Sequence, residues 1–204
     1  MIEKCYIVGA GDNSGTNFSK GENEYIIAAD GGLEILNSMG IKADLIIGDF
    51  DSLGYKPKGN NVIAYKVEKD DTDMMLAVMK AIELGTGEIV IFGGTGGRID
   101  HTFANIQAMA NASKNGILVK MIDEKYEYIV ITDGSITIDR RPEGIFSVMS
   151  ISNKSMGVNI KGGQYSAKNV TLTNDNPTAV SNHFVGKDIE ISVKQGTLLI
   201  VLEK

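Results

Sequence analysis

The stretch "EIVIFGGTGGRIDHTFANIQAMANASKNG", residues 88–116, joins a strand to a helix through a glycine-rich loop. Its apolar start, residues 88–92, has the length and the β-branched composition of a buried strand. The longer segment that begins at Asp100 has helical spacing and stops near Gly116. A short apolar strand followed at once by a helix is the repeating unit of a parallel α/β sheet.

The same alternation of strands and helices extends over the first 125 residues. It predicts an α/β domain over 1–125, with a Rossmann-like parallel sheet that has helices on both faces. The further predicted strands are "KCYIVGAG" (4–11), "YIIAADGG" (25–32), "ADLIIGDFDS" (43–52), "NVIAYK" (61–66) and "LVKMID" (118–123), and the further helices are "LEILNSMG" (33–40) and "DTDMMLAVMKAIELG" (71–85).

From Tyr126 onward the hydrophobic period changes to two. "YIVITDGSITI", residues 128–138, reads as two strands around an Asp-Gly turn, which predicts a β-hairpin. Further short strand patterns separated by turn residues follow to the end of the chain, without a helix-length pattern. They predict a second domain over 126–204, an all-β sandwich.

Composition excludes several classes of partner. The net charge of −6, with 26 acidic and 20 basic residues, argues against nucleic acid or an anionic membrane as the main partner. No apolar run approaches the roughly 20 residues that span a bilayer, and the N-terminus lacks a signal-peptide pattern, so we expect a cytoplasmic protein. The single cysteine, Cys5, lies in a predicted strand and is expected to be a packed thiol.

Acidic residues follow the predicted parallel strands, at the sheet edge where such folds bind ligands. They are Asp30, Asp49, Asp51 and Asp73. Two carboxylates about 4 Å apart repel by roughly 4 kcal/mol at an effective dielectric constant of 20. Either some of these acids stay protonated or a divalent cation neutralises them. Oxygen ligands without nearby cysteines or paired histidines favour Mg²⁺, which takes substrate phosphates as further ligands.

The remaining loop residues suit a phosphate group. Glycines in the stretch 93–97 let backbone N–H groups approach an anion, and the next helix presents its positive end. Arg98 and Lys69 supply cations. The loop lacks the Gly-Lys-Ser/Thr ending of a Walker A motif, and "GAGDNS" (9–14) is an incomplete dinucleotide fingerprint. "KDDTD" (69–73) is also consistent with simple helix capping by Asp70 or Thr72.

The ordered set of motifs resembles the thiamine pyrophosphokinase family. The motifs are "ADGG" (29–32), "DLIIGDFDS" (44–52), "KDDTD" (69–73), "GGRIDH" (96–101), "SN" (181–182) and "GTLL" (196–199). The resemblance implies that the first domain binds ATP and is catalytic, that the second binds thiamine, and that the protein is a homodimer whose thiamine sites use both subunits.

The resemblance also assigns roles to individual residues. Asp30, Asp49, Asp51 and Asp73 look like the acids that hold Mg²⁺. The expected catalytic residues are Asp49, Asp51, Asp70, Asp73, Arg98 and Asp100, and the expected ATP-binding residues are Asp30, Gly31, Lys69, Thr72, Gly96, Gly97 and Arg98. Tyr165, in "GGQY", is expected to stack on thiamine, and Ser181 and Asn182 to contact its pyrimidine ring.

The implied reaction moves the diphosphate of ATP to the hydroxyl group of thiamine and releases AMP. Asp70, Asp73 and Asp100 are the candidates for accepting the hydroxyl proton. Two alternatives stay open from the residues alone. One is a diphosphokinase for another heterocyclic alcohol, such as a hydroxymethylpterin, and the other is a non-catalytic Mg-ATP sensor.

Overall fold

Buried strands alternate with helices in the first unit of the chain, Met1–Glu124, in the computed structural model, which describes residues 2–51, 54–66, 68 and 70–204. The strands lie parallel in the order β6-β5-β1-β2-β3-β4. The elements along the chain are β1 (Lys4–Val8), β2 (Glu24–Ala29), α1 (Gly32–Ser38), β3 (Leu45–Gly48), β4 (Val62–Ala64), α2 (Asp73–Glu83), β5 (Glu88–Phe92), α3 (Ile99–Lys114) and β6 (Leu118–Ile122).

The strand order reverses beside β1. From β1 the chain proceeds outward to β4, and it then returns to the other side of β1 to form β5. Val8 pairs in register with Ala28 of β2 and with Phe92 of β5, so the three strands end at the same level. A crevice at the carboxyl ends of the strands on either side of such a reversal is where open α/β sheets bind ligands.

Helices cover both faces of this parallel sheet. Leu33 and Leu36 of α1 pack in one core cluster with Tyr6 and Val8 of β1. Ile7 points to the opposite face and is equally buried, and there α2 contacts the same strand. Helix α1 approaches the sheet so closely that a Cβ atom on Gly32 would lie 1.8 Å from the carbonyl oxygen of Val8.

The sole cysteine is part of this core. Cys5 is fully buried in β1 and forms no disulfide. Burial, together with the smaller effect of the negative charge of Asp44, raises the pKa of its thiol to about 12. The expectation of a packed thiol is therefore confirmed.

The second unit, Lys125–Lys204, consists of strands in two sheets. One has the order β12-β9-β14-β7 and the other β11-β10-β13-β8, and all the pairings within them are antiparallel. Ile129 and Ile200 of the first sheet share a buried cluster with Val158 and Ile191 of the second. The strands are β7 (Tyr126–Thr132), β8 (Ser135–Ile138), β9 (Ile145–Ser150), β10 (Lys154–Lys161), β11 (Ala167–Thr173), β12 (Asn182–His183), β13 (Ile189–Ser192) and β14 (Thr197–Glu203).

The predicted hairpin over residues 128–138 is wrong. Strand β7 pairs with β14 and β8 pairs with β13, so the Asp-Gly turn carries the chain from one sheet to the other. The turn is held by distant residues: Asp133 Oδ1 accepts a 2.7 Å hydrogen bond from Gly196 N, and Gly134 O accepts one of 2.8 Å from Val193 N. These long-range hydrogen bonds hold the turn, instead of the β7–β8 pairing that a hairpin would have.

The predicted fold class, a parallel α/β sheet followed by a β-sandwich, is confirmed. Every helix and strand named in the sequence prediction of the first unit is present, with ends that differ by a few residues. Among the described residues no helix is both long enough and apolar enough to cross a membrane.

Candidate active site

A cleft of about 590 Å³ opens at the carboxyl ends of the strands of the first unit. Loops after β1, β2, β3 and β5 and the first turns of α2 and α3 form its walls. The lining residues are Gly9, Ala10, Gly11, Ala29, Asp30, Asp49, Asp71, Thr72, Asp73, Met74, Gly93, Gly94, Thr95, Gly96, Arg98, His101, Thr102 and Asn105.

Three carboxylates converge beside this cleft. One oxygen from each of Asp30, Asp49 and Asp51 lies within 4.8 Å of the others. The backbone N–H of Asp30 donates a 2.7 Å hydrogen bond to Ile47 O, which ties the end of β2 to β3. Phe50, between the other two acids, is 3% exposed and has a positive φ of 62°. Its burial anchors the loop so that both flanking acids stay at the surface.

The acidic group fits a hard divalent cation. Oxygens bound to Mg²⁺ at about 2.1 Å are no more than about 4.2 Å apart, so small side-chain rotations would bring the three carboxylates into range. Asp30 and Asp49 are half-buried and Asp51 is exposed, which leaves room for water and phosphate oxygens. Asp73 lines the same cleft but is not one of the three grouped acids.

Another part of the cleft wall is built from two loops, after β1 and after β5, that are joined by backbone hydrogen bonds. Gly11 N donates to Gly93 O at 2.9 Å, and Asp12 N donates to Thr95 O at 2.6 Å. The approach is so close that a Cβ atom on Gly11 would lie 2.2 Å from Thr95 O. The glycines of the incomplete fingerprint at 9–14 therefore serve to pack one loop against the other.

Buried side chains form hydrogen bonds that hold the loop after β5 in place. Thr95 Oγ1 donates a 3.0 Å hydrogen bond to Asp123 Oδ2, and both residues are 8% exposed. Asn105 of α3 donates from Nδ2 to Gly94 O at 2.7 Å. These contacts fix the backbone of residues 93–96, where an anion would bind, before any ligand arrives.

Thr95→Val is expected to lower the free energy of unfolding by about 1–3 kcal/mol, because a buried hydrogen bond to a carboxylate is lost while the shape is kept. Urea denaturation of the full chain measures the change. Thr102→Val is the matched control, since Thr102 lines the same cleft and is half-buried. Equal effects of the two substitutions would contradict a specific role for the Thr95 hydroxyl group.

Helix α2 begins at the rim of the cleft. Thr72 Oγ1 accepts a 3.1 Å hydrogen bond from Met75 N, so Thr72 is the N-cap, and Asp73 lies in the positively charged first turn. The capping interpretation is thus correct for Thr72. Asp70 is exposed and does not line the cleft, and Lys69 lies outside the described residues.

Arg98 stands at the N-cap of α3 and is held by its neighbour Asp100. The guanidinium group donates from Nη2 at 2.5 Å and from Nε at 3.2 Å to the two carboxylate oxygens. These hydrogen bonds lower the pKa of Asp100 and raise that of Arg98. The pair is largely exposed, so it orients the arginine at the mouth of the cleft more than it stabilises the fold.

Six of the eleven sequence-predicted residues of this unit that the structure describes line one cleft. Asp30, Asp49, Thr72, Asp73, Gly96 and Arg98 line the cleft, whereas Gly31, Asp51, Asp70, Gly97 and Asp100 do not; Asp51 lies beside it, grouped with Asp30 and Asp49. Sequence reasoning missed Asn105 and Thr95, whose roles depend on contacts with residues far along the chain. His101, the last residue of the motif at 96–101, also lines the cleft.

The three residues expected to contact thiamine lie in the second unit. Tyr165 is 62% exposed, and Ser181 is exposed with a positive φ of 57°. Asn182 differs from both, because it is 4% exposed and its side chain is hydrogen-bonded to the backbone of Tyr165.

Two family models match the chain. Residues 19–121 match the model described as thiamin pyrophosphokinase, catalytic domain. Residues 135–198 match the one described as thiamin pyrophosphokinase, vitamin B1 binding domain. Together the two matches cover most of the chain, and they fall within its two compact units.

Individual relatives agree with these matches. The chain is 28% identical over 187 residues to the thiamine pyrophosphokinase of Bacillus subtilis, covering 88% of this chain and 87% of the relative. It is 25% identical over 162 residues to thiamin pyrophosphokinase 1 of Caenorhabditis elegans, covering 73% and 67%. A crystal structure of the Bacillus subtilis enzyme superposes with a TM-score of 0.85 at 26% identity and covers 99% of both chains.

Proposed function

The chain belongs to the thiamine pyrophosphokinase family, and on that premise we propose that it transfers the diphosphate of ATP to the hydroxyl group of thiamine. The products would be thiamine diphosphate and AMP. The observation that carries this proposal is a cleft lined by two acids of the three-carboxylate group, by the glycine-rich loop after β5 and by Arg98. Such a cleft suits a metal-bound polyphosphate.

The residues of the cleft would act by position and charge. Backbone N–H groups near Gly96 and the positive N-terminus of α3 would bind phosphate oxygens, and Arg98 would neutralise charge that develops during transfer. Asp73, in the first turn of α2, is the cleft-lining candidate for accepting the hydroxyl proton of thiamine. Asp70 and Asp100, the other candidates, lie outside the cleft lining.

We propose that Asp30, Asp49 and Asp51 hold Mg²⁺, with Asp73 nearby in the same cleft. When bound, the ion would supply positive charge that neutralises the phosphate oxygens of ATP. The three side chains would otherwise repel one another, so the metal also explains why the fold tolerates them at one edge.

The second unit would supply the acceptor site. Tyr165 presents an exposed ring, and thiamine is a cation with two flat rings, so stacking and cation–π attraction suit the pair. The match of residues 135–198 to a vitamin B1 binding domain supports thiamine over a pterin. The matched catalytic domain and the intact acidic group favour an enzyme over a nucleotide sensor.

We also propose a homodimer in the cytoplasm. Ile99 and Phe103, one helical turn apart on α3, are 77% and 66% exposed and offer an apolar surface to a second copy. The use of ATP as substrate supports the proposed compartment.

Incubation of the full chain with Mg-ATP and thiamine is expected to release AMP in step with thiamine diphosphate. Chelation of divalent ions with EDTA should stop both, and added Mg²⁺ should restore both, because the carboxylates alone repel the phosphates of ATP. Chromatography of nucleotides and thiamine esters measures the two products together.

Parallel incubations separate the proposed function from its rivals. A hydroxymethylpterin offered in place of thiamine is expected to yield no AMP. Turnover with the pterin alone would identify the other diphosphokinase, and binding of Mg-ATP without AMP release in either mixture would identify the sensor.

A further inference from the structure

The backbone of Tyr165 is bound on both sides by one side chain. Asn182 Oδ1 accepts a 3.0 Å hydrogen bond from Tyr165 N, and Asn182 Nδ2 donates one of 2.7 Å to Tyr165 O. The neighbouring Gln164 N donates to His183 O at 3.0 Å. The ring of Tyr165 is therefore exposed while its main chain is fixed.

The Asn182 amide has little capacity left for a substrate. Its Oδ1 also accepts a 2.9 Å hydrogen bond from His183 N, which fills both acceptor positions of the oxygen. Only one of its amide hydrogens has no hydrogen-bond partner among the described residues, and the residue is 4% exposed. The reverse orientation of the amide would place its NH₂ group against two N–H donors, so the observed orientation is the one that the network requires.

Tight packing holds the amide in this place. A Cβ atom on Gly163 would lie 2.8 Å from Phe146 Cζ and 2.9 Å from Asn182 Oδ1, so glycine is needed there for the side chain to reach Tyr165. On the other side, Ser181 N donates a 3.1 Å hydrogen bond to Ser147 Oγ and fixes the residue that precedes Asn182.

We propose that Asn182 is a positioning residue of the thiamine site, which acts by holding the backbone of Tyr165 rather than by contacting the substrate. This inference rests on the proposed function for the identity of the ligand. A ring whose main chain is already fixed loses less conformational freedom when a flat cation stacks on it, so binding is tighter. The effect of Asn182 on thiamine should then pass entirely through Tyr165.

A double-mutant cycle tests this dependence. Asn182→Ala and Tyr165→Ala are each expected to raise the KM for thiamine about tenfold, while the KM for ATP stays within about twofold. In the Tyr165→Ala background, Asn182→Ala should change the KM for thiamine by less than about twofold. His183→Ala is the control, since it keeps the backbone N–H that bonds to Asn182. If the double variant instead raised the KM for thiamine by the product of the two single effects, Asn182 would bind thiamine itself, and the proposal would be overturned.

A fluorescence readout does not depend on turnover. The chain has no tryptophan, so Tyr165→Trp introduces a single reporter at the position in question. Adding Asn182→Ala or Asn182→Asp to this variant should lower the steady-state anisotropy of the tryptophan, and His183→Ala should not. Unchanged anisotropy in both Asn182 variants would overturn the proposal. An inactive wild-type chain that still shows the anisotropy loss would instead refute the proposed function and leave the positioning role supported.

Discussion

Asp49→Asn is expected to lower kcat by about 10³-fold or more while leaving the fold intact. A carboxylate that holds a metal against a reacting phosphate contributes several kcal/mol to the transition state, and each 1.4 kcal/mol is a factor of ten in rate. Without metal, the variant should be as stable as the parent chain or more stable by up to about 1 kcal/mol, because one negative charge leaves the group formed with Asp30 and Asp51.

Two measurements on the same preparations separate these effects. Product formation at saturating ATP and thiamine gives kcat, and urea denaturation in EDTA gives the free energy of unfolding. Glu34→Gln is the matched control, since it removes one exposed negative charge from α1, just after Asp30. Normal turnover by Asp49→Asn would refute the metal site at the ends of β2 and β3.

The sequence predicted the parallel sheet well because its signals are local. Each strand of the first unit is a short apolar run, and each helix has its own start and stop, such as Thr72 before α2 and Gly116 after α3. In a parallel sheet the carboxyl ends of neighbouring strands lie at the same edge. Asp30 and Asp49, which follow two such strands, could therefore be expected close together.

The turn at Asp133 and Gly134 failed as a hairpin signal for the opposite reason. Its hydrogen bonds reach Gly196 and Val193, about sixty residues further along the chain. A local pattern reports that the chain turns, but in a sandwich the choice of partner strand depends on how two sheets share a core. Distant packing therefore decides the pairing there.

The same limit applied to the residues that support the cleft. The sequence around Thr95 gives no sign of its role, because its hydrogen-bond partner Asp123 lies 28 positions further along the chain. Asn105, in the next helix, donates a hydrogen bond to the carbonyl oxygen of Gly94. The family resemblance predicted that Asn182 contacts the substrate, yet its amide forms hydrogen bonds with the backbone of Tyr165. The residue types in the sequence were enough to predict the chemistry of the site. The contacts that support the site could be identified only from the folded structure.

Arg98→Ala is expected to lower kcat by about 10²-fold or more without changing the thermal midpoint. Removing one group aimed at charge that develops in a transition state typically costs this much. The stability is unaffected because the ion pair with Asp100 is largely exposed. Two of the five guanidinium N–H donors bond to Asp100, and within the described part of the chain the other three stay available for phosphate oxygens.

Two further variants show whether charge or geometry matters at this position. Arg98→Lys keeps the charge but loses the planar fork, so it should recover only part of the lost rate. Asp100→Asn should cost a few-fold in rate, since it weakens the hold on the guanidinium group without removing it. Because hydrogen bonds from Arg98 lower the pKa of Asp100, this pair stays charged from neutral pH to below the ordinary carboxyl range. The ratio of the Arg98→Ala rate to the parent rate should therefore be constant from pH 6 to 8, and full recovery of kcat by Arg98→Lys would show that a point charge is sufficient.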